Sequence, residues 1–252
     1  MLRIDLNCDL GEIEGAEGVL LDEALMPYVS SINVACGGHA GDPERIRKVV
    51  ELAVKFNVAV GAHPGYADRA NFGRVIVPMS PAELHKLVLQ QITLVAEIVE
   101  ESGSTLHHVK PHGALYNFAA TSPETAHAIA TAVHALDPRC QLMGLSRSCL
   151  TDAANLLGLR AVHEVFADRN YLAEGSLVPR NQDNAVLQDP EQIAVRAASI
   201  VETGAVIAID GTQLTFPCDT LCIHSDTPNA VTIAACIRTV FDKHSIAVRA
   251  VD

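Results

Sequence analysis

The sequence predicts an α/β fold in which parallel strands close into an irregular barrel wrapped by helices, and three observations lead there. Short apolar segments alternate with helix-length segments along the chain, the pattern of right-handed βαβ crossovers. The apolar segments are β-prone and stop at Gly or Pro, as strands buried on both faces do. Polar residues gather just past their ends, in NCDLGE (7–12), NVACGGHAGD (33–42), VAVGAHPG (58–65), HVKPHG (108–113) and LCIHSD (221–226). Parallel strands place all these ends on one rim. So many strand ends converge only if the strands encircle an axis, because an open doubly wound sheet gathers groups at one or two switch points.

Taken in order, the expected strands are 3–7, 31–35, 57–63, 106–112, 141–145, 161–166 and 220–224, seven in all. Helix starts are legible between them. Asp42-Pro43, Ser80-Pro81, Ser122-Pro123, Asp189-Pro190 and Thr227-Pro228 each set a side-chain acceptor at N-cap and proline at the first helical position, where its missing N–H costs nothing. Glu83 and Gln192 add the third-position residue of a capping box. Segments 70–78 and 167–188 are longer connections rich in Arg, Asn, Gly and Asp, the kind that serve as lids or binding loops. No repeat or linker interrupts the chain, so residues 1–252 are expected to form a single catalytic domain.

Composition narrows the function. With 252 residues, 49% of them hydrophobic, the chain buries a full core. A formal net charge of −12 argues against nucleic acid and anionic membranes as partners. Apolar runs are too short to span a bilayer and the N-terminus lacks a signal-peptide core, so a cytoplasmic location is expected. Seven cysteines without a CxxC pair suit reduced thiols, mostly small core hydrophobes. Neither G-x-G-x-x-G nor a Walker-type loop is present, and no G-x-S-x-G elbow, zinc-finger or H-E-x-x-H spacing occurs.

What remains is a cluster of acid–base residues at the expected rim. At period two, Asp5, Asn7 and Asp9 point to one side of the first strand. Asp9-Leu10-Gly11 alone reads equally well as a turn, but a carboxylate among imidazoles acts as general base, metal ligand or histidine orienter. His39 sits in a Gly-rich loop ahead of a helix N-terminus, a path that admits a substrate close to the main chain. His63 and His112 are framed by Pro and Gly. A single histidine of this kind is ordinarily structural; several at corresponding strand ends point to chemistry. Lys110 shares a face with His112, and a buried ammonium needs a partner, for which Glu164 or Asp168 is available. Arg74, Arg169 and Arg180 lie in the two long loops and together form a clamp for a carboxylate or phosphate. The residues alone indicate a hydrolase-like site, with or without a divalent metal.

Longer strings carry a resemblance. DLNCDLGE (5–12), NVACGGHAGDP (33–43), GAHPGY (61–66) with FGR (72–74), HVKPHGALYN (108–117), EVFADRNY (164–171) with GSLVPR (175–180), and 222–228 run in order through the chain. Together they resemble the LamB/YcsF family. The resemblance implies an irregular seven-stranded β/α barrel similar to the glycoside hydrolase/deacetylase superfamily. It also implies an ATP-hydrolysing 5-oxoprolinase activity, the ring opening of 5-oxo-L-proline to L-glutamate, performed with two partner subunits, B and C. ATP would then be handled largely by those partners.

Within that resemblance the catalytic candidates are Asp9, His63, Lys110, His112 and Glu164. An unstrained lactam is a poor electrophile, so phosphorylation of its oxygen opens the carbon to water. Asp9 activates that water, His63 or His112 protonates the departing nitrogen, and Lys110 with an arginine offsets anionic charge. Asn7, Glu12, Asn33, His39, Arg74, Arg169, Arg180 and His224 are the substrate-binding candidates. A superfamily Asp-His-His pattern leaves room for a divalent metal at Asp9, His39, His63 or His112. Two other readings are a metal-dependent deacetylase or amidohydrolase acting without ATP, and a non-catalytic binding protein.

Overall fold

A computed structural model describes residues 2–252. Its elements run β1 (Leu2–Leu10), α1 (Gly15–Leu25), β2 (Ser31–Ala35), α2 (Pro43–Phe56), β3 (Ala59–His63), α3 (Pro81–Glu101), β4 (His108–Val109), α4 (Gly113–Thr121) and α5 (Pro123–Leu136). They continue β5 (Gln141–Leu145), α6 (Cys149–Leu156), β6 (Ala161–Phe166), α7 (Pro190–Thr203), β7 (Ala205–Ile207), β8 (Gln213–Thr215), β9 (Thr220–His224), α8 (Ala230–Lys243) and β10 (Ile246–Val248).

Seven parallel strands pair in the order β1-β2-β3-β4-β5-β6-β9, and β9 pairs back onto β1 to close the barrel. The first half of β1 also pairs with β10, a short C-terminal strand that the apolar pattern did not single out. Nearly every strand residue is buried on both faces. The outward side chains of β1, Ile4, Leu6, Cys8 and Leu10, enter the apolar layer beneath the helices. The inward ones, Asp5, Asn7 and Asp9, are polar and also buried.

Four of the five proline-marked helices begin where expected, with Asp42, Ser80, Ser122 and Asp189 each accepting a first-turn N–H. Thr227-Pro228 does not start its helix. Those residues form a turn after β9, and α8 begins at Ala230 after Asn229 adopts a left-handed conformation. Two strand bounds also move. The third starts at Ala59 because Asn57 closes α2 with φ of 56° and Val58 is tied to Ala53. In the fourth, only His108 and Val109 pair on both sides, since Pro111 has no N–H to continue the ladder. Conversely β1 extends to Leu10, so Asp9 lies within the strand rather than past it.

Candidate active site

Register sets the inward groups in layers. Asp5 of β1 pairs with Thr220 of β9, and its carboxylate accepts hydroxyl hydrogen bonds from Ser30 (2.6 Å), Ser31 (2.8 Å) and Thr220 (2.6 Å). One layer up, Asn7 donates to Glu164 (3.0 Å) and Thr220 (2.8 Å) while its oxygen accepts from Asn33 (2.8 Å). His108 Nε2 contacts the Asn33 oxygen at 2.7 Å. Above this polar floor sits the Lys110 ammonium, 2.9 Å from both Asp9 and Glu164 and 3.1 Å from Cys222 Sγ.

The buried ammonium therefore has two carboxylate partners. Burial works against its charge, but Asp9 foremost and then Cys222 and Glu164 outweigh it and push the lysine well above its ordinary value. For Asp9 burial favours the neutral acid. The charges of His63 and Lys110 reverse that and hold its carboxyl well below the usual range. Asp9 Oδ1 takes Lys110 and Asn33, leaving Oδ2 facing His63 Nε2 at 3.5 Å.

At the rim, Glu12, His39, His63 and His112 form a tight group whose donor atoms lie within 4.8 Å of one another. Glu12 Oε1 is 3.0 Å from His39 Nε2, 3.2 Å from His112 Nδ1 and 3.9 Å from His63 Nε2. Burial opposes ionisation of Glu12, yet hydrogen bonds from His112 and His39 hold it below the carboxylate range. Burial pushes His39 down to about 4, so it is neutral at pH 7. The His39 and His112 rings stack, with centroids 3.6 Å apart.

Hydrogen bonds fix the tautomers of two of these rings. His63 Nδ1 is 2.7 Å from the Lys110 carbonyl and His112 Nε2 is 2.9 Å from the Phe72 carbonyl. A carbonyl only accepts, so both nitrogens carry protons. The remaining His63 Nε2 and His112 Nδ1 face each other at 3.0 Å, where two bare lone pairs would repel. A shared proton or a cation must lie between them. Backbone carbonyls that orient the far nitrogen are also the usual outer support of metal-binding histidines.

The sequence candidates thus divide by depth. Asp9, Glu12, His63, Lys110, His112, Arg74, Arg169, Arg180 and His224 line a small cavity of about 60 Å³. Asn7, Asn33 and Glu164 lie beneath it, fully buried, and His39 lies behind Glu12 and His112. Among the arginines, Arg74 and Arg180 meet at Asp226, whereas Arg169 donates to the Ala185 and Val178 carbonyls and so pins the long loop 167–188. His224 pairs with Asp168 at 2.7 Å, which leaves Glu164 and Asp9 as the lysine's partners. Sequence reasoning passed over Cys222 beside Lys110, and Tyr116 and Asp226, which also line the small cavity. Cys222 was within reach of it, since it stands two residues before His224 and shares that face of β9.

Against known proteins, the model of the LamB/YcsF family matches residues 4–252. The chain belongs to the LamB/YcsF family. Among its relatives are proteins named as the A component of 5-oxoprolinase, one from Chloroflexus aggregans, 49% identical over 249 residues (99% of each chain), and one from Heliobacterium modesticaldum, 45% identical over 249 residues (99% of this chain, 98% of that one). A crystal structure of a lactam utilization protein from Thermus thermophilus superposes with a TM-score of 0.93 at 44% identity, covering 99% of this chain and 100% of that one. A T48 deacetylase structure is similar in fold alone, with a TM-score of 0.52 at 12% identity over 100% of this chain and 89% of that one. This LamB/YcsF chain has no helix, among the described residues, long and apolar enough to cross a membrane.

Proposed function

We propose that this chain is the lactam-opening component of an ATP-dependent 5-oxoprolinase, a single catalytic domain that works with partner subunits B and C to convert 5-oxo-L-proline to L-glutamate. The relatives named as a 5-oxoprolinase component and the lactam utilization protein support the substrate class. The observation that carries the chemistry is the Asp9–Lys110–Glu164 ion cluster directly beneath four rim groups, Glu12, His39, His63 and His112. Hydrolysis of an amide needs a proton acceptor, a proton donor and charge stabilisation within one small cavity, and these residues supply all three.

Asp9 Oδ2, the oxygen not engaged by Lys110 or Asn33, takes the proton from an attacking water. Its depressed pKa keeps it ionised and also weakens it as a base, so its contribution belongs at the modest end of the general-base range. The proton shared by His63 and His112 is placed to reach the departing nitrogen. Lys110 offsets the charge that gathers on the lactam oxygen, and Glu164 holds Lys110 in place. ATP use belongs to the partner subunits in this reading, in keeping with a sequence that carries no nucleotide-binding loop.

The facing lone pairs of His63 and His112, the neutral His39 and the ionised Glu12 also suit a divalent cation, with these four residues as its holders. When bound, such an ion supplies Lewis-acid polarisation of a carbonyl or phosphoryl oxygen. Glutamate formation from 5-oxoproline, measured for the chain alone and with subunits B and C and ATP, tests the proposal. Turnover only in the complete mixture supports it, and amide hydrolysis without ATP favours a deacetylase-like activity.

A further inference from the structure

Around the Lys110 ammonium, four acceptors compete for three hydrogens: Asp9 Oδ1 and Glu164 Oε1 at 2.9 Å, Asn7 Oδ1 and Cys222 Sγ at 3.1 Å. Its charge steadies an anion in the cavity, but it has no hydrogen left to give one. Hydrolysis of an amide gathers charge on the amide oxygen, and a preorganised donor aimed at that oxygen is among the largest contributions to such a reaction. The ionised Asp9 and Glu12 carboxylates that share the cavity only accept. The donor has to come from another wall.

Tyr116 stands on such a wall. It lies in the first turn of α4, where its N–H bonds to the His112 carbonyl at 3.1 Å. A Cβ on Gly113 would stand 2.8 Å from the Gly73 carbonyl oxygen, so a glycine with φ of 53° is what lets this helix start so close to loop 70–78. The Tyr116 side chain is 5% exposed and lines the small cavity. Asn117, next to it, borders both that cavity and a wider one of about 800 Å³, and the two share Arg74, Arg169 and Arg180. The Tyr116 ring stands perpendicular to Phe166 with centroids 6.0 Å apart, and the Lys110 ammonium lies 6.0 Å from the centre of that same Phe166 ring. Phenol and ammonium thus flank one side chain.

Among the described residues, the Tyr116 hydroxyl has no hydrogen-bond partner. Buried phenols ordinarily have one. The neighbouring acceptor, Glu164, gives one oxygen to Asn7 and Lys110 and keeps the other unbonded, so it does not satisfy the phenol. Burial first, and the Glu164 charge after it, push the phenol well above its ordinary value and keep it a neutral O–H.

We propose that Tyr116 is a catalytic residue whose O–H donates a hydrogen bond to the lactam oxygen, next to the charge of Lys110. The role rests on the lactam reading and adds to it a bond that Lys110 cannot make. No proton leaves the phenol. The bond strengthens as charge builds on the oxygen, so its loss falls on kcat rather than KM.

The test compares glutamate release from 5-oxoproline by the wild type and by Tyr116→Phe, each with ATP and an excess of subunits B and C, alongside thermal melts. The substitution removes only a hydroxyl that the free protein leaves unbonded. The expected result is a kcat lower by about 10²-fold or more, the usual loss of one such donor, with KM changed far less. The melting temperature should equal that of the wild type or exceed it, because a buried hydroxyl without a partner costs stability. An unchanged kcat overturns the role, as does a loss of activity that comes with a lower melting temperature, which makes the hydroxyl part of the fold. A wild type that releases no glutamate in the complete mixture overturns the lactam reading and this role together, so the wild-type control tells the two failures apart.

Discussion

His63 Nε2 and His112 Nδ1 face each other across 3.0 Å, while the other nitrogen of each ring donates to a backbone carbonyl. Two neutral imidazoles cannot occupy this arrangement without a proton or a cation between them. Glu12 Oε1 lies beside the gap, 3.2 Å from His112 and 3.9 Å from His63.

A cation held there leaves a stoichiometric signature. If a cation rather than the shared proton fills the gap, elemental analysis of the purified chain finds about one divalent metal per molecule, and Glu12→Gln or His63→Ala lowers metal affinity by at least about tenfold. In that case chelation lowers the melting temperature and re-addition of metal restores it. A metal-free protein whose melting is indifferent to chelator assigns the gap to a shared proton instead.

Asp9 and Asp5 share a strand and a face, yet only Asp9 borders the catalytic cavity. Asp9→Asn is expected to leave the fold intact and lower coupled turnover by about 10²-fold or more. Asp5→Asn replaces one of the two oxygens that accept from three hydroxyls by an NH2 donor and is expected to cost about 1–3 kcal/mol of stability. Burial pushes the Asp5 pKa up, so its ionisation destabilises the fold as pH rises from the ordinary aspartate value to the raised one. The stability lost on substitution is therefore greatest in acid and smaller at neutral pH. Urea melts at several pH values check the sign, and an Asp9→Asn protein with near-normal turnover removes Asp9 as the base.

Among the described residues, Lys110 is the sole ammonium partner of two buried carboxylates, Asp9 and Glu164. Lys110→Met is expected to destabilise the chain by about 3–5 kcal/mol, because it leaves Glu164 uncompensated and Asp9 with His63 alone. Adding Glu164→Gln is expected to recover part of that loss, which a double-mutant cycle measures. Additive losses place the ammonium's main role elsewhere.

A Cβ on Gly61 stands 2.1 Å from His108 Nε2, inside the barrel. Gly61→Ala is expected to be destabilising by about 1–3 kcal/mol. The double variant with His108→Ala relieves the clash, so its loss should be smaller than the sum of the two single losses in thermal melts.

Much of this was legible in the sequence, and the reasons are physical. Strands 31–35, 141–145, 161–166 and 220–224 have the expected bounds because each is an apolar run cut by a turn residue. The inward set Asp5, Asn7 and Asp9 follows from period two alone. What was not legible depends on packing between distant segments. Nothing local distinguishes Glu12, which joins the three histidines, from Asp9, which the geometry places with Lys110. Thr227-Pro228 carries the same signal as the four pairs that start helices, but the chain turns there because Asn229 takes the left-handed conformation. The large arginine-lined cavity is built by loop 167–188 and the β7–β8 hairpin, neither of which has a periodic pattern to announce its position.

The most direct test of the central claim is glutamate release from 5-oxoproline by this chain combined with subunits B and C and ATP. The account expects turnover in the complete mixture, almost none when any component is omitted, and a loss of about 10²-fold or more when Asp9→Asn replaces the wild type. Equal glutamate release by the B–C mixture with and without this chain would contradict it.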